Sequence, residues 1–275
     1  MNHSLRQLLT ALLLLAGTAA NAQVSTAPLF FSASLDPDVT YEPLPSSYDA
    51  AYLANLRMAY QLDKVIAGQQ TDLGRVQAVS AWVRRQWKHG QAASPQNDPV
   101  AILQAAAQGK HLRCVEYGTV LAGALTALSI PTRQLGLYTA DVETRRRGAG
   151  HSLAEAWLAD QHKWVLVDGQ FDVVPLLNGR PLNAVELQRA LAEKAPGLTV
   201  AGTSGMTARK YARFIRPYLY HFSASFTAHP APKAGAVELI LLPVGSKNPV
   251  VFQRTLPLTG HSYTNSLTSF YAPPR

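Results

Sequence analysis

The stretch 113–172 opens RCVEYGTVLAGALTALSIPTRQLGLYT (113–139) and closes GHSLAEAWLADQHKWVLVDGQFD (150–172). It holds the only cysteine of the chain, Cys114, at the head of a helix-like run. His151 and Asp168 follow on two strand-like runs. A thiol, an imidazole and a carboxylate are the parts of a nucleophile, its general base and the group that orients the base. No other stretch offers a comparable set.

Apolar residues Val115, Val120, Leu121, Ala124, Leu125 and Leu128 recur at helical spacing, which predicts a helix from about Cys114 to Leu128. Gly118, Ala122 and Gly123 keep it slim enough to lie against a sheet. Ser129-Ile130-Pro131 ends it, and Thr132 to Tyr138 reads as a strand. Two further strands, His151–Leu158 and Lys163–Asp168, flank the turn Ala159–His162. If this turn closes an antiparallel hairpin, Leu158 pairs with Lys163 and Leu153 with Asp168. Side chains alternate along strands, so His151, Leu153 and Glu155 then share a face with Asp168, and Trp157 opposes Trp164 as a structural pair. A slip of one residue would undo this alignment.

A thiol becomes a nucleophile when it loses its proton, and a helix N-terminus and a nearby imidazolium both favour that loss. The bland alternative is a buried packing cysteine, which the charged neighbours Arg113 and Glu116 weigh against. A lone histidine opening a strand is usually structural, and Asp168 before Gly169 would also suit a turn. It is the shared face that makes His151 the candidate base and Asp168 its candidate orienter.

The rest of the chain sets the context. Its 275 residues, 47% of them hydrophobic, suffice for a good core in one domain with extensions or in two domains. The net charge of +8 is scattered apart from Arg145-Arg146-Arg147, and no nucleic-acid motif accompanies it, so nucleic acid is not an expected partner. An anionic envelope polymer or an acidic peptide suits such a surface better. Residues 1–22 read as a signal peptide: Arg6, the apolar run Leu8–Ala16 and the A-x-A site Ala20-Asn21-Ala22. Export to the periplasm or the medium is expected, with no membrane span after signal removal. A single cysteine excludes an internal disulfide and leaves either a packing residue or a reactive thiol. The histidines His89, His111, His162, His221, His229 and His261 lack metal-ligand spacing, no acidic run forms a calcium loop, and no glycine motif cradles phosphate. No metal or cofactor is expected.

Taken in order, 23–48 reads as an extended lead-in, with Leu29-Phe30-Phe31 as a short strand or a latch. Helices are expected from Tyr48 to Ala67, after the cap Thr71, after Asp98-Pro99, and after the capping pair Asn183 and Glu186. Residues 196–205 read as a loop. From Tyr218 onward the chain reads as β-rich, including SLTSFY, forming an appended sheet or small accessory domain.

The run RCVEYGTVLAGALTALSIPTRQLGL, then GHSLAEAW, then KWVLVDGQFD resembles the transglutaminase-like superfamily. That superfamily is marked by a cysteine opening a small-residue helix, an I-P-x-R run, an H-x-x-x-E-x-W strand and a W-V-x-V-D strand. The resemblance covers about 80 to 100 residues, up to about Pro175. It implies an α+β, papain-like cysteine protease/transglutaminase core: a nucleophile helix packed on an antiparallel sheet. N-terminal helices would buttress it, the catalytic domain would span 49–200, and 201–275 would be a β-rich C-terminal extension. By the same resemblance Cys114 corresponds to the nucleophile, His151 to the base and Asp168 to the orienter. The implied chemistry is acyl transfer from an amide of a protein, peptide or cell-wall peptide, through a thioester. A catalytically silent envelope binding module on the same fold is the alternative. The family commonly has glycine two residues before the cysteine, where this chain has Leu112. Gln108, six residues before Cys114, has the spacing of an oxyanion glutamine in papain-like proteases.

Overall fold

The computed structural model describes residues 27–44, 47–229 and 236–274. The expected signal segment 1–22 lies outside them. The helices are α1 (Ala50–Ala59), α2 (Leu62–Val65), α3 (Asp72–Gln86), α4 (Pro99–Ala107), α5 (Cys114–Ala127), α6 (Ala184–Ala192), α7 (Ala208–Ile215) and α8 (Leu267–Phe270). The strands are β1 (Thr40–Pro43), β2 (Thr132–Tyr138), β3 (Gly150–Leu158), β4 (Lys163–Val167), β5 (Val174–Leu177), β6 (Arg180–Pro181), β7 (Leu198–Ala201), β8 (His221–His229), β9 (Ala236–Leu241), β10 (Val251–Phe252), β11 (Leu256–Pro257) and β12 (His261–Thr264).

A seven-stranded sheet runs in the order β12-β9-β8-β2-β3-β4, with β1 also paired to β8. All its pairings are antiparallel except β12 with β9. Alternation along the strands divides the core into two layers. Ala154, Ala156, Leu158, Val165 and Val167 pack towards α1, α3, α4 and α5. Leu153, Leu166, Leu135, Leu137, Phe222 and Phe226 pack towards α6, α7 and α8. The sheet is thus covered on both sides, the α+β arrangement expected from the sequence.

Helix α5 lies where its composition says it should. A side chain at Gly118 would come within 3.1 Å of the Leu153 carbonyl oxygen, so glycine there permits close approach to β3. At Gly123 a Cβ would come within 2.5 Å of Pro99 Cγ, so the same helix also admits the start of α4. Leu121 and Leu125 are fully buried, each contributing about 1.5–3 kcal/mol.

Several local signals are met. Thr71 Oγ1 accepts from the Gly74 amide, Asp98 Oδ1 from the Ala101 amide, and Asn183 and Glu186 cap α6 reciprocally. Between β3 and β4, Leu158 pairs with Lys163 and Trp157 with Trp164, the register read from the four-residue turn. His162 closes that turn with a left-handed φ of 49°.

Other expectations are corrected. The helix read from Tyr48 to Ala67 is two helices, broken at Gln61 with φ 51°. Leu56 and Leu62 are both fully buried, and at about 100° per residue a continuous helix would turn them well apart. The loop 196–205 contains β7, which pairs with β5. The segment SLTSFY is helical over Leu267–Phe270, capped by Ser266 Oγ. Helix α7 was not anticipated at all. Of the C-terminal strands only β10 and β11 form a separate two-stranded sheet: β8 pairs with β2, and β9 and β12 follow, completing the central sheet. The reason lies in β2, whose second edge would otherwise be unpaired, and in Phe222, Ala224 and Phe226, which fill the second core layer. Of the lead-in, Phe31 is buried against Phe222 at 6.0 Å between ring centroids, while Phe30 is exposed.

Candidate active site

The first turn of α5 has no Ser, Thr, Asp or Asn to cap it. Glu116 folds back instead, accepting from the Arg113 amide at 3.1 Å and pairing with the Arg113 guanidinium at 2.9 Å. It also accepts from the Ser94 amide at 3.1 Å, which fastens the preceding loop. These bonds fix the start of the helix and leave Cys114, half-buried, as its first residue. Its amide is among the donors that a helix N-terminus leaves unpaired.

The sheet brings the partners. Strand β4 stops at Val167, opposite Ala154, so Gly150–Leu153 has no strand on that side. His151 opens β3 beside this gap, paired on its other side with Leu137. Gly150 admits Phe252, since a Cβ there would come within 3.0 Å of that ring. The His151 Nε2 atom is 2.8 Å from Asp168 Oδ2. Cys114 lies close enough to His151 and to the Ser152 backbone for both to act on its thiol. With Nε2 engaged by Asp168, Nδ1 is the ring nitrogen left for the thiol. Phe214 stands edge-on to the imidazole at 5.1 Å, with Tyr218 at 5.9 Å and Phe171 at 6.2 Å, and the ring is buried.

Asp168 is completely buried and held from four directions. Oδ2 accepts from His151 and from the Tyr211 hydroxyl at 3.1 Å, and Oδ1 from the amides of Gln170 at 3.0 Å and Phe171 at 3.3 Å. The turn that supplies those amides is closed by the reciprocal backbone bonds of Asp168 and Val173. A buried carboxylate with this many donors has its desolvation offset by hydrogen bonds.

The electrostatics follow from this packing. Burial alone raises the Cys114 thiol, but the hydrogen bond and charge of His151 and the Ser152 amide outweigh it, and the thiol is lowered. Burial alone lowers His151, but Asp168 and Cys114 raise it to about 9. Both shifts favour a thiolate beside an imidazolium, and the two groups titrate as a pair. Burial, then the charge of Asp168, holds the Tyr211 hydroxyl well above its usual value, so it remains a donor.

The remaining words of the sequence pattern prove to be architectural. Arg133, of the I-P-x-R run, pairs with Glu155, of the H-x-x-x-E-x-W strand, at 2.7 Å. The two are cross-strand neighbours and both are buried. The Arg133 guanidinium is packed against the rings of Trp164, Phe226, Phe270 and Tyr271 and donates to the Phe270 carbonyl. Glu155 also accepts from the Ala184 amide and the Tyr271 hydroxyl. Trp157 and Trp164 meet edge to face at 5.6 Å. Leu112, where the family commonly has glycine, is fully buried in the helical core layer. Gln108 is the exposed C-terminal cap of α4 and is not among the residues lining the cleft at Cys114.

That cleft encloses a cavity of about 410 Å³. Cys114, His151 and Ser152 lie at one end, and Gln134, Ser223, Ser225 and Glu238 continue along its floor. Phe252, Leu256 and Leu258, on and beside the β10–β11 hairpin, form an apolar wall. The hairpin is fastened to the loop before β3, where Gln253 bonds the backbone of Val142 and Ala149. Among the described residues no group of three or more His, Cys, Asp or Glu side chains could hold a metal ion, and no helix is long and apolar enough to cross a membrane.

A cysteine heading a helix, packed on an antiparallel sheet that carries a hydrogen-bonded histidine and aspartate, defines a papain-like α+β architecture. Residues 60–169 match the sequence model of the transglutaminase-like superfamily, and this segment contains Cys114, His151 and Asp168. Among solved structures, a candidate cysteine protease from Cytophaga hutchinsonii is 18% identical with a TM-score of 0.36, over 58% of this chain and 50% of that one. The periplasmic domain of TgpA from Pseudomonas aeruginosa is 17% identical with a TM-score of 0.34, over 47% of each chain. Red sea bream transglutaminase is 15% identical with a TM-score of 0.32, over 48% of this chain and 30% of that one. The chain therefore spans half or less of the length of these proteins. No curated protein matches the chain at a significant level.

Sequence reasoning missed Tyr211, Phe214 and Tyr218, which enclose His151 and Asp168. The helical spacing of Tyr211 and Ile215 in ARKYARFI marks an apolar face, but nothing local links it to a residue 43 positions earlier.

Proposed function

We propose that the protein is an exported thiol enzyme that cleaves or transfers the acyl group of an amide, in a protein, peptide or cell-wall peptide. Cys114 is the nucleophile, His151 the general base and acid, and Asp168 the group that orients the imidazole. The observation that carries this reading is the His151 ring, hydrogen-bonded through Nε2 to a buried carboxylate and within reach of a thiol at a helix N-terminus.

The thiolate sulfur attacks the amide carbonyl carbon. A C–S bond forms as the C=O π pair moves onto oxygen, beside the unpaired Cys114 amide at the helix N-terminus. Collapse of this adduct breaks the C–N bond, and the departing nitrogen takes its proton from the His151 imidazolium. The thioester is then attacked by water or by a substrate amine, which gives a proton to His151 as the sulfur leaves as thiolate. Water gives hydrolysis and an amine gives transamidation. Asp168 stabilises the ring whenever it carries the proton and fixes which nitrogen faces the sulfur.

The experiment is the alkylation of native Cys114 by iodoacetamide as a function of pH, in wild type and in His151→Ala. The wild-type midpoint is expected below the ordinary thiol value of about 8.5, and His151→Ala should move it up. A midpoint at or above that value, unmoved by the substitution, would make Cys114 a packing residue and the protein a binding module.

A further inference from the structure

The cleft does not end at the thiol. Its floor is the sheet face on which Ser152 of β3, Gly136 of β2 and Ser223 of β8 are successive cross-strand neighbours. Two residues along β8, Ser225 pairs with Glu238 of β9, on the same face. A Cβ at Gly136 would come within 2.5 Å of Ser223 Oγ, so glycine there keeps the floor low. Strand β9 is third from β3 in the sheet, which places Glu238 about 14 Å from the strand that carries His151, at about 4.8 Å per strand.

The Glu238 carboxylate accepts from Ser225 Oγ at 2.9 Å and is half-buried. A carboxylate has about four acceptor positions, so most of its capacity is unused by that bond. Among the described residues no lysine or arginine lines the cleft and no ion pair involves Glu238. The chain as a whole carries a net charge of +8. Among the described residues Glu238 is therefore a carboxylate without a counter-charge, on the floor of a cleft whose opposite wall is apolar and whose near end is the thiol.

We propose that Glu238 is a specificity-determining residue, which selects an extended peptide bearing an ammonium or guanidinium group several residues from the attacked carbonyl. Glu238 is level with Ser225, two residues along β8 from Ser223, so at about 3.3 Å per residue along the strand and about 4.8 Å per strand across the sheet it stands about 16 Å from Ser152. At about 3.3–3.6 Å per extended residue, that distance is four to five residues of chain, or fewer with the reach of a lysine or arginine side chain. The apolar wall at Phe252, Leu256 and Leu258 would cover the aliphatic part of such a side chain. The inference rests on the thiol-enzyme reading of the same cleft.

The test is protection of Cys114 from iodoacetamide. The probes are acetylated and amidated nonapeptides of alanine and serine around a central glutamine, with one lysine moved through the positions on either side. At one position the lysine peptide is expected to protect at about one-tenth the concentration of the parent, the scale of a charge-assisted bond. Glutamate at that position should abolish protection. Glu238→Gln, which retains an acceptor for Ser225, should erase the lysine advantage. Glu238→Lys should turn the preference towards glutamate. Normal alkylation with no favoured lysine position, or a preference that survives Glu238→Gln, overturns the inference and leaves the thiol-enzyme reading standing. A native thiol that does not react overturns both.

Discussion

Tyr211 is the residue on which the candidate site can be tested without touching any of its three reacting members. Its hydroxyl donates to Asp168 Oδ2 at 3.1 Å, on the same oxygen that faces His151. Tyr211→Phe removes one oxygen and retains the ring, which is buried against Phe171 at 6.1 Å. Three of the four donors to the carboxylate persist. Losing one hydrogen bond to a fully buried charged group costs about 1.5–3 kcal/mol, and the expected loss of stability is at the middle of that range. The effect on titration has a definite sign. With one donor fewer the carboxylate charge is less compensated, so it holds the imidazolium proton more firmly. His151, already raised to about 9, should rise further, and the thiol should surrender its proton to it at lower pH. Urea unfolding measures the first effect, and the pH dependence of Cys114 alkylation measures the second. A merely structural tyrosine would lower stability and leave the alkylation profile where it is. A profile displaced to higher pH would contradict the reasoning outright, because it would mean that Tyr211 does not compensate the Asp168 charge.

Arg133→Met should cost about 3–5 kcal/mol, because it strands Glu155 as a buried carboxylate without its cation; urea unfolding checks this, and Cys114 alkylation in the folded variant should keep its wild-type midpoint. The His151 imidazolium should stabilise the fold fully below pH 6.5, its ordinary value, and this contribution should be lost as the pH rises through about 9. Thermal denaturation across that range should show the decline, and Asp168→Asn should flatten it; an equally steep decline in the variant would place its origin elsewhere. Protein recovered from an envelope fraction should have the intact mass of a chain beginning at or near Gln23, as the Ala20-Asn21-Ala22 site implies, and a retained Met1 would refute processing there.

The parts of this fold that could be read from the sequence are those set by contacts close along the chain. The caps at Thr71, Asp98 and Asn183 each act over three residues. The β3–β4 register follows from a four-residue turn, and the alternation of side chains then carries His151 and Asp168 to one face 17 positions apart. Helix α5 was legible because its small residues and its apolar spacing describe one surface. Where the reading failed, a distant partner decided the outcome. SLTSFY has strand-like composition, yet Ser266 caps a helical turn there and Phe270 packs against Phe226 at 5.4 Å. The run Tyr48–Ala67 has helical spacing throughout, yet both Leu56 and Leu62 must reach one core.

The same division runs through the candidate site. Cys114, His151 and Asp168 lie within 55 residues and are aligned by one helix and one hairpin, so their chemistry is concentrated where local rules apply. What tunes and shapes them comes from later in the chain. Tyr211 completes the Asp168 cage, Phe214 and Tyr218 exclude water from the imidazole, and Phe252 and Glu238 wall the cleft. Tyr211, Phe214 and Tyr218 belong to α7 and the turn that follows it, Glu238 to β9, which joins the sheet through β8 at the second edge of β2, and Phe252 to the separate β10–β11 hairpin. Burial of His151 depends on that later segment, whose Phe214 and Tyr218 stand against the ring. The C-terminal third is therefore part of the candidate site: a chain truncated after β7 would retain Cys114, His151 and Asp168 and lose the side chains that bury His151 and complete the Asp168 cage.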